Sequence, residues 1–142
     1  MRTIRILAAC AALTLPAAAS AQGMSIGERE YMNSCAQCHG PAGKGDGFLV
    51  NYFLEGGAPD ITGLAKANGG VFPVARVYAI IDGTATAGIH GDSMMPAWGY
   101  RYSLQADEDL GRYFALSAED RAAAVRGRIL ALIEHLSTLQ GE

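Results

Sequence analysis

Residues 33–47 read NSCAQCHGPAGKGDG, and the reading of this stretch decides the fold. Cys35, Cys38 and His39 form C-x-x-C-H, and closely spaced glycines follow. Three chemistries use such residues: a redox dithiol, half of a zinc site, or a group that takes both sulfurs and the adjacent imidazole at once. A redox C-x-x-C follows a strand in a βαβ context and leaves His39 without a role. A structural zinc site needs four nitrogen or sulfur ligands, usually in two clusters. The other imidazoles are His90 and His135, and no second cysteine pair exists. Spacing alone leaves His90 open as a fourth ligand.

The N-terminus bears on the choice. MRTIRILAACAALTLPAAASAQ has Arg2 and Arg5, an apolar run from Ile6 to Leu15, and small residues ending in Ala19-Ser20-Ala21. This order is that of a secretory signal peptide, and the run is too short to span a bilayer. Residues 1–21 are expected to be removed near Ala21, leaving Gln22 first and residues 22–142 as a single domain. A rival site, LAAC at residues 7–10, would leave a lipidated Cys10, but the apolar region before it is very short. The expected location is the periplasm, with the mature chain soluble.

Loss of Arg2 and Arg5 takes the 11 basic residues to nine against 14 acids, about −5 by formal counting. No basic cluster is present to neutralise phosphates, so nucleic acid is excluded as a partner. Cys10 leaves with the signal, and the two remaining cysteines both belong to CAQCH. A small domain with 18 glycines and no cross-link needs another source of core. A large apolar cofactor supplies one.

The third chemistry satisfies every constraint. C-x-x-C-H attaches a c-type haem. Cys35 and Cys38 become thioethers, and His39 reaches the iron on one face. Export agrees, because the haem is attached outside the bacterial cytoplasm. A second axial ligand is sought in SMMPAWG, residues 93–99, which offers Met94 and Met95. A thioether favours ferrous iron and raises the potential relative to two imidazoles.

The pattern along the chain is helical. Ser25 and Glu28 predict a capping box for a first helix ending near Cys35, with Ile26, Tyr31 and Met32 on its buried side. Residues 40–59 read as an aperiodic loop. Asp60 is expected to cap a short helix through Ile61, Leu64 and Ala65, stopped by Asn68 to Gly70. Val74, Val77, Tyr78 and Ile81 predict a helix with Pro73 in its first turn that Gly83 ends. Residues 84–103 read as a second long loop, with a short helix within LQADEDLGRYF. Ser117 opens a long final helix whose apolar stripe is Val125, Ile129, Leu132, Ile133, Leu136 and Leu139. Gly27 is expected to let the first and last helices cross closely.

With these residues in place, the chain resembles the bacterial class I c-type cytochromes of the small mono-haem type. The resemblance rests on YMNSCAQCHGPAGKGDG (31–47), DITGLAKANGGVFPVARVYAIIDG (60–83), HGDSMMPAWG (90–99) and ILALIEHLSTLQ (129–140), nearly all of the mature chain. It implies an all-α class I cytochrome c fold, with helices and loops wrapped around one covalent haem. It also implies Cys35 and Cys38 as the attachment cysteines, His39 as the proximal ligand, and Met95, before Pro96, as the axial methionine. Met94 and His90 remain alternatives to Met95. His135 stands where such cytochromes often carry an aromatic residue.

Gly40, Gly43, Gly45 and Gly47 are expected to let the backbone approach the haem edge. Phe48, Tyr52, Phe72, Tyr78, Trp98 and Tyr100 are candidates for the pocket wall, and Arg101 for a partner of a haem propionate. Two protein ligands leave no vacant iron position, which points to an electron carrier rather than catalysis at the haem. Its partners are a protein donor and acceptor, met through a small, salt-sensitive interface. The alternative is a gas-binding haem protein with a labile sixth ligand; a third role is the cytochrome subunit of one oxidoreductase.

Overall fold

A computed structural model of the chain describes residues 23–53, 57–85 and 95–141. The expected signal segment 1–21 with Cys10, and the alternative ligands His90 and Met94, lie outside the described residues. The regular elements are α1 (Ile26–Ser34), α2 (Ala36–His39), α3 (Val50–Phe53), α4 (Leu64–Ala67), α5 (Val74–Asp82), α6 (Trp98–Asp109) and α7 (Ala118–Thr138). No strand occurs among the described residues. None of their helices is long and apolar enough to cross a membrane.

The frame is α7 with α1, α6 and α5 packed along it. Its N-terminus is closed by reciprocal bonds: Ser117 Oγ accepts from the Asp120 N–H at 3.1 Å, and Asp120 Oδ2 accepts from the Ser117 N–H at 2.9 Å. The Ser117 hydroxyl, which donates to Asp120 Oδ2 at 2.7 Å, and then the Ser117 N–H hold the Asp120 carboxyl below the usual carboxylate range. Ile129, Leu132, Ile133 and Leu136 are buried at helical spacing, as expected.

At the start of α1, Ser25 Oγ accepts from the Glu28 N–H at 3.1 Å, the amide half of the expected box. The buried side of α1 is Gly27, Glu30 and Tyr31, whereas Ile26 and Met32 are exposed, contrary to expectation. Gly27 sets this face. A Cβ there would overlap the backbone carbonyl of Ala131, so the helices cross at a distance only glycine permits, and the residues beside that crossing are the ones covered.

Two further expectations are corrected. Asp60 does not cap a helix: its Oδ1 accepts from the Thr62 N–H at 2.8 Å and the Thr62 hydroxyl at 2.6 Å, closing a local turn, and α4 starts only at Leu64. The loop expected over residues 84–103 ends early, because α6 begins at Trp98 and runs unbroken to Asp109. Trp98, Tyr102 and Ala106 recur at i, i+4 and i+8 and are all buried, a helical stripe that the intervening Gly99 and Tyr100 obscure. Within the first loop, residues 50–53 form the helical turn α3. Pro73 precedes α5 as its cap, and Gly83, at φ 87°, ends it.

Arg128 ties three helices together. Its guanidinium reaches Glu30 Oε1 of α1 at 3.2 Å and Asp109 Oδ2 at the end of α6 at 2.6 Å. It also lies 5.9 Å from the centre of the buried Tyr102 ring.

Candidate functional site

The C-x-x-C-H residues form one helical turn. The His39 N–H donates to the Cys35 carbonyl at 2.8 Å, so the residues at i, i+3 and i+4 project from the same side of the turn. The glycines after it bend the chain back over this turn. The amides of Gly45, Gly47 and Leu49 donate to the carbonyls of His39, Cys38 and Gln37 at 2.8, 3.0 and 2.9 Å. These are the carbonyls a helix end leaves unpaired. Gly45, at φ 81°, adopts a backbone that favours glycine, and a Cβ at Gly47 would overlap the Gln37 carbonyl. The glycines therefore let the loop fold onto the motif's own backbone.

A cleft of about 330 Å³ opens beside this turn. Cys35 and His39 line it together with Met95, which arrives from the start of the segment before α6. Its walls are Ile61, Leu64, Val77, Ile80, Ile81 and Leu136, supplied by the segment before α4 and by α4, α5 and α7. Cys38, next to His39, is half-buried and does not line the cavity. The C-terminal end of the chain holds the wall in place: Gln140 Nε2 donates to the Ile61 carbonyl at 3.0 Å, and its Oε1 accepts from the Ala65 N–H at 3.0 Å.

The donor set suits iron in a macrocycle. His39 Nδ1 lies 3.1 Å from the Pro59 carbonyl oxygen. A carbonyl only accepts, so Nδ1 carries the hydrogen and the neutral ring keeps its lone pair on Nε2. This is how ligating histidines are oriented by their surroundings. Burial, with the Glu30 carboxylate and Cys38 adding to it, pushes the Cys35 thiol up to about 12. A redox dithiol needs the opposite shift. Among the described residues no group of three or more His, Cys, Asp or Glu is arranged to hold a metal ion, and His90, the open fourth zinc ligand, lies outside them. Soft sulfur, an oriented imidazole and an apolar cradle fit a c-type haem.

The expected aromatic wall is absent from the cleft. Phe48, Tyr52 and Tyr100 are 62%, 75% and 74% exposed, Trp98 is buried among the core helices, and Phe72 and Tyr78 pack against that core. The cavity is aliphatic because α5 turns its Val77, Ile80 and Ile81 side toward it. Arg101, expected to face the cofactor, lies over the Trp98 ring at 5.0 Å and does not line the cleft. His135 packs against Tyr31 with ring centres 5.1 Å apart, in the position where an aromatic residue was anticipated. The aliphatic lining was not foreseen from the sequence, nor was Arg76, whose signal was its place one turn before Ile80 on α5.

Comparison with known families places the chain. Residues 22–114 match the family described as "Cytochrome C oxidase, cbb3-type, subunit III". Comparison with curated proteins and with solved structures returned no match. The matched span contains Cys35, Cys38, His39 and Met95 and ends in the turn after α6. The all-helical fold, the C-x-x-C-H turn against an apolar cleft and the matched span agree, and the chain belongs to this family of c-type cytochromes, whose haem transfers electrons.

Proposed function

We propose that the chain is a periplasmic one-electron carrier, with one haem c joined through Cys35 and Cys38 and its iron ligated by His39 and Met95. The observation that carries this reading is the shared cleft: a buried cysteine, an oriented imidazole and a thioether line one apolar cavity. When bound, the haem supplies the Fe(III)/Fe(II) couple. The Pro59 carbonyl orients His39 and increases its basicity. Met95 is a soft donor that favours the ferrous state. The aliphatic walls exclude water, which disfavours the more highly charged ferric state. Residues 1–21 are the exported leader, residues 22–142 are one domain, and the donor and acceptor are proteins that dock transiently.

Intact mass under denaturing conditions, with absorption spectra of both oxidation states, tests this reading. The expected result is the chain from Gln22 plus one haem, with the weak far-red ferric band of sulfur–iron ligation. Replacing Cys35 or Cys38 by alanine is expected to impair maturation. A purified chain that carries no covalent haem overturns the reading. Rapid binding of carbon monoxide by the ferrous protein at neutral pH replaces it with a gas-binding role.

A further inference from the structure

The cleft holds one cation and one acid besides its ligand-type residues: Arg76 and Asp60. Asp60 is already matched, by the two bonds from Thr62 and by Lys44 Nζ at 3.6 Å from Oδ2. Arg76 forms no ion pair with any described residue. It stands on α5 with the lining residues Val77, Ile80 and Ile81, at i+1, i+4 and i+5, and with the cap Pro73 at i−3. A guanidinium on an otherwise apolar wall is favoured when the occupant of the cleft brings an anion to meet it. Arg76 lines the cleft and is exposed to solvent.

A haem presents that anion as the carboxylates of its two propionates, and a guanidinium fork matches a carboxylate in two parallel hydrogen bonds. We infer that Arg76 pairs with a haem propionate and so fixes which edge of the ring lies against α5. This inference rests on the haem site proposed above. The pair neutralises a negative charge near the iron and thereby favours Fe(II). Arg101 cannot substitute, because its guanidinium lies over Trp98.

The test is the midpoint potential of the haem-loaded protein in Arg76→Gln, Arg76→Lys and Arg101→Gln. Arg76→Gln is expected to lower the Fe(II)/Fe(III) ratio at fixed poise by about ten-fold, which is ~59 mV for a one-electron couple. Arg76→Lys keeps a point charge and restores most of that loss. Arg101→Gln shifts the ratio less. An unchanged potential in Arg76→Gln, or equal shifts from Arg76→Gln and Arg101→Gln, overturns the inference. A crystal structure of the wild-type holoprotein decides the matter without variants: a propionate within hydrogen-bond distance of Arg76 supports it, and both propionates paired elsewhere overturn it. Wild-type protein without covalent haem instead removes the functional reading beneath, so the two failures are distinct.

Discussion

The buried Tyr31 hydroxyl of α1 donates to the Gly40 carbonyl at 2.6 Å, and Gly40 directly follows His39. One phenol thus joins the helix that packs on α7 to the end of the C-x-x-C-H turn. Tyr31→Phe removes one of two donors to that carbonyl, which also accepts from the Gly43 N–H at 3.1 Å, and is expected to cost about 0.5–1.5 kcal/mol. Denaturant titration of the holoprotein measures the loss. The far-red ferric band is expected to survive in buffer and to vanish at a lower denaturant concentration than in wild type.

Tyr31 and Tyr102 also make stability depend on alkaline pH. Burial, as the leading cause, raises both phenols from 10.0 to about 12. The folded state prefers the neutral phenol, so this contribution is whole below pH 10 and is lost as pH rises through about 12. The thermal midpoint of the holoprotein is expected to fall across that window. Tyr31→Phe and Tyr102→Phe are each expected to flatten the fall. An equal slope in both variants and wild type would assign the alkaline transition to other groups.

Met95 is the proposed sixth ligand. Met95→Ala is expected to abolish the far-red ferric band and lower the potential by on the order of 0.2 V, well inside the ~0.8 V range that axial ligation spans. Met94→Ala and His90→Ala are expected to spare both. Spectroelectrochemistry of the three variants checks the assignment. Loss of the band in Met94→Ala or His90→Ala, with Met95→Ala intact, sinks it.

Two glycines inside helices have opposite expected effects. Gly27→Ala forces a methyl into the Ala131 carbonyl and separates α1 from α7, at a cost of about 1–3 kcal/mol. Gly127 lies inside α7 with nothing within 4 Å of a Cβ, so Gly127→Ala gains about 0.5–1 kcal/mol of helix preference. Urea unfolding of the pair gives both signs in one experiment.

Arg128 compensates a Glu30 side chain that is 9% exposed, while its other partner, Asp109, is half in solvent. Arg128→Met leaves Glu30 uncompensated and is expected to cost about 2–3 kcal/mol, toward the lower end for a broken buried pair. Asp109→Asn removes a screened surface contact and is expected to cost under ~1 kcal/mol. Equal losses would show that Glu30 is not the strained partner.

The local chemistry was legible in the order of residues. C-x-x-C-H needs no tertiary information, because one helical turn places its sulfurs and imidazole on one side. Ser117 with Asp120, the apolar stripe of the last helix, and Gly27 at a close crossing were readable for the same reason: caps and 3.6-residue periods are local rules. Only the tertiary structure decided which residues line the cleft. The aromatics scattered after the motif suggested a wall, but the orientation of α5 on α7 presents its aliphatic side and Arg76 instead. The buried side of α1 was likewise decided by where Gly27 meets Ala131, not by its most apolar residues. Composition names the residues able to leave water, while the crossing of the helices determines which of them are covered.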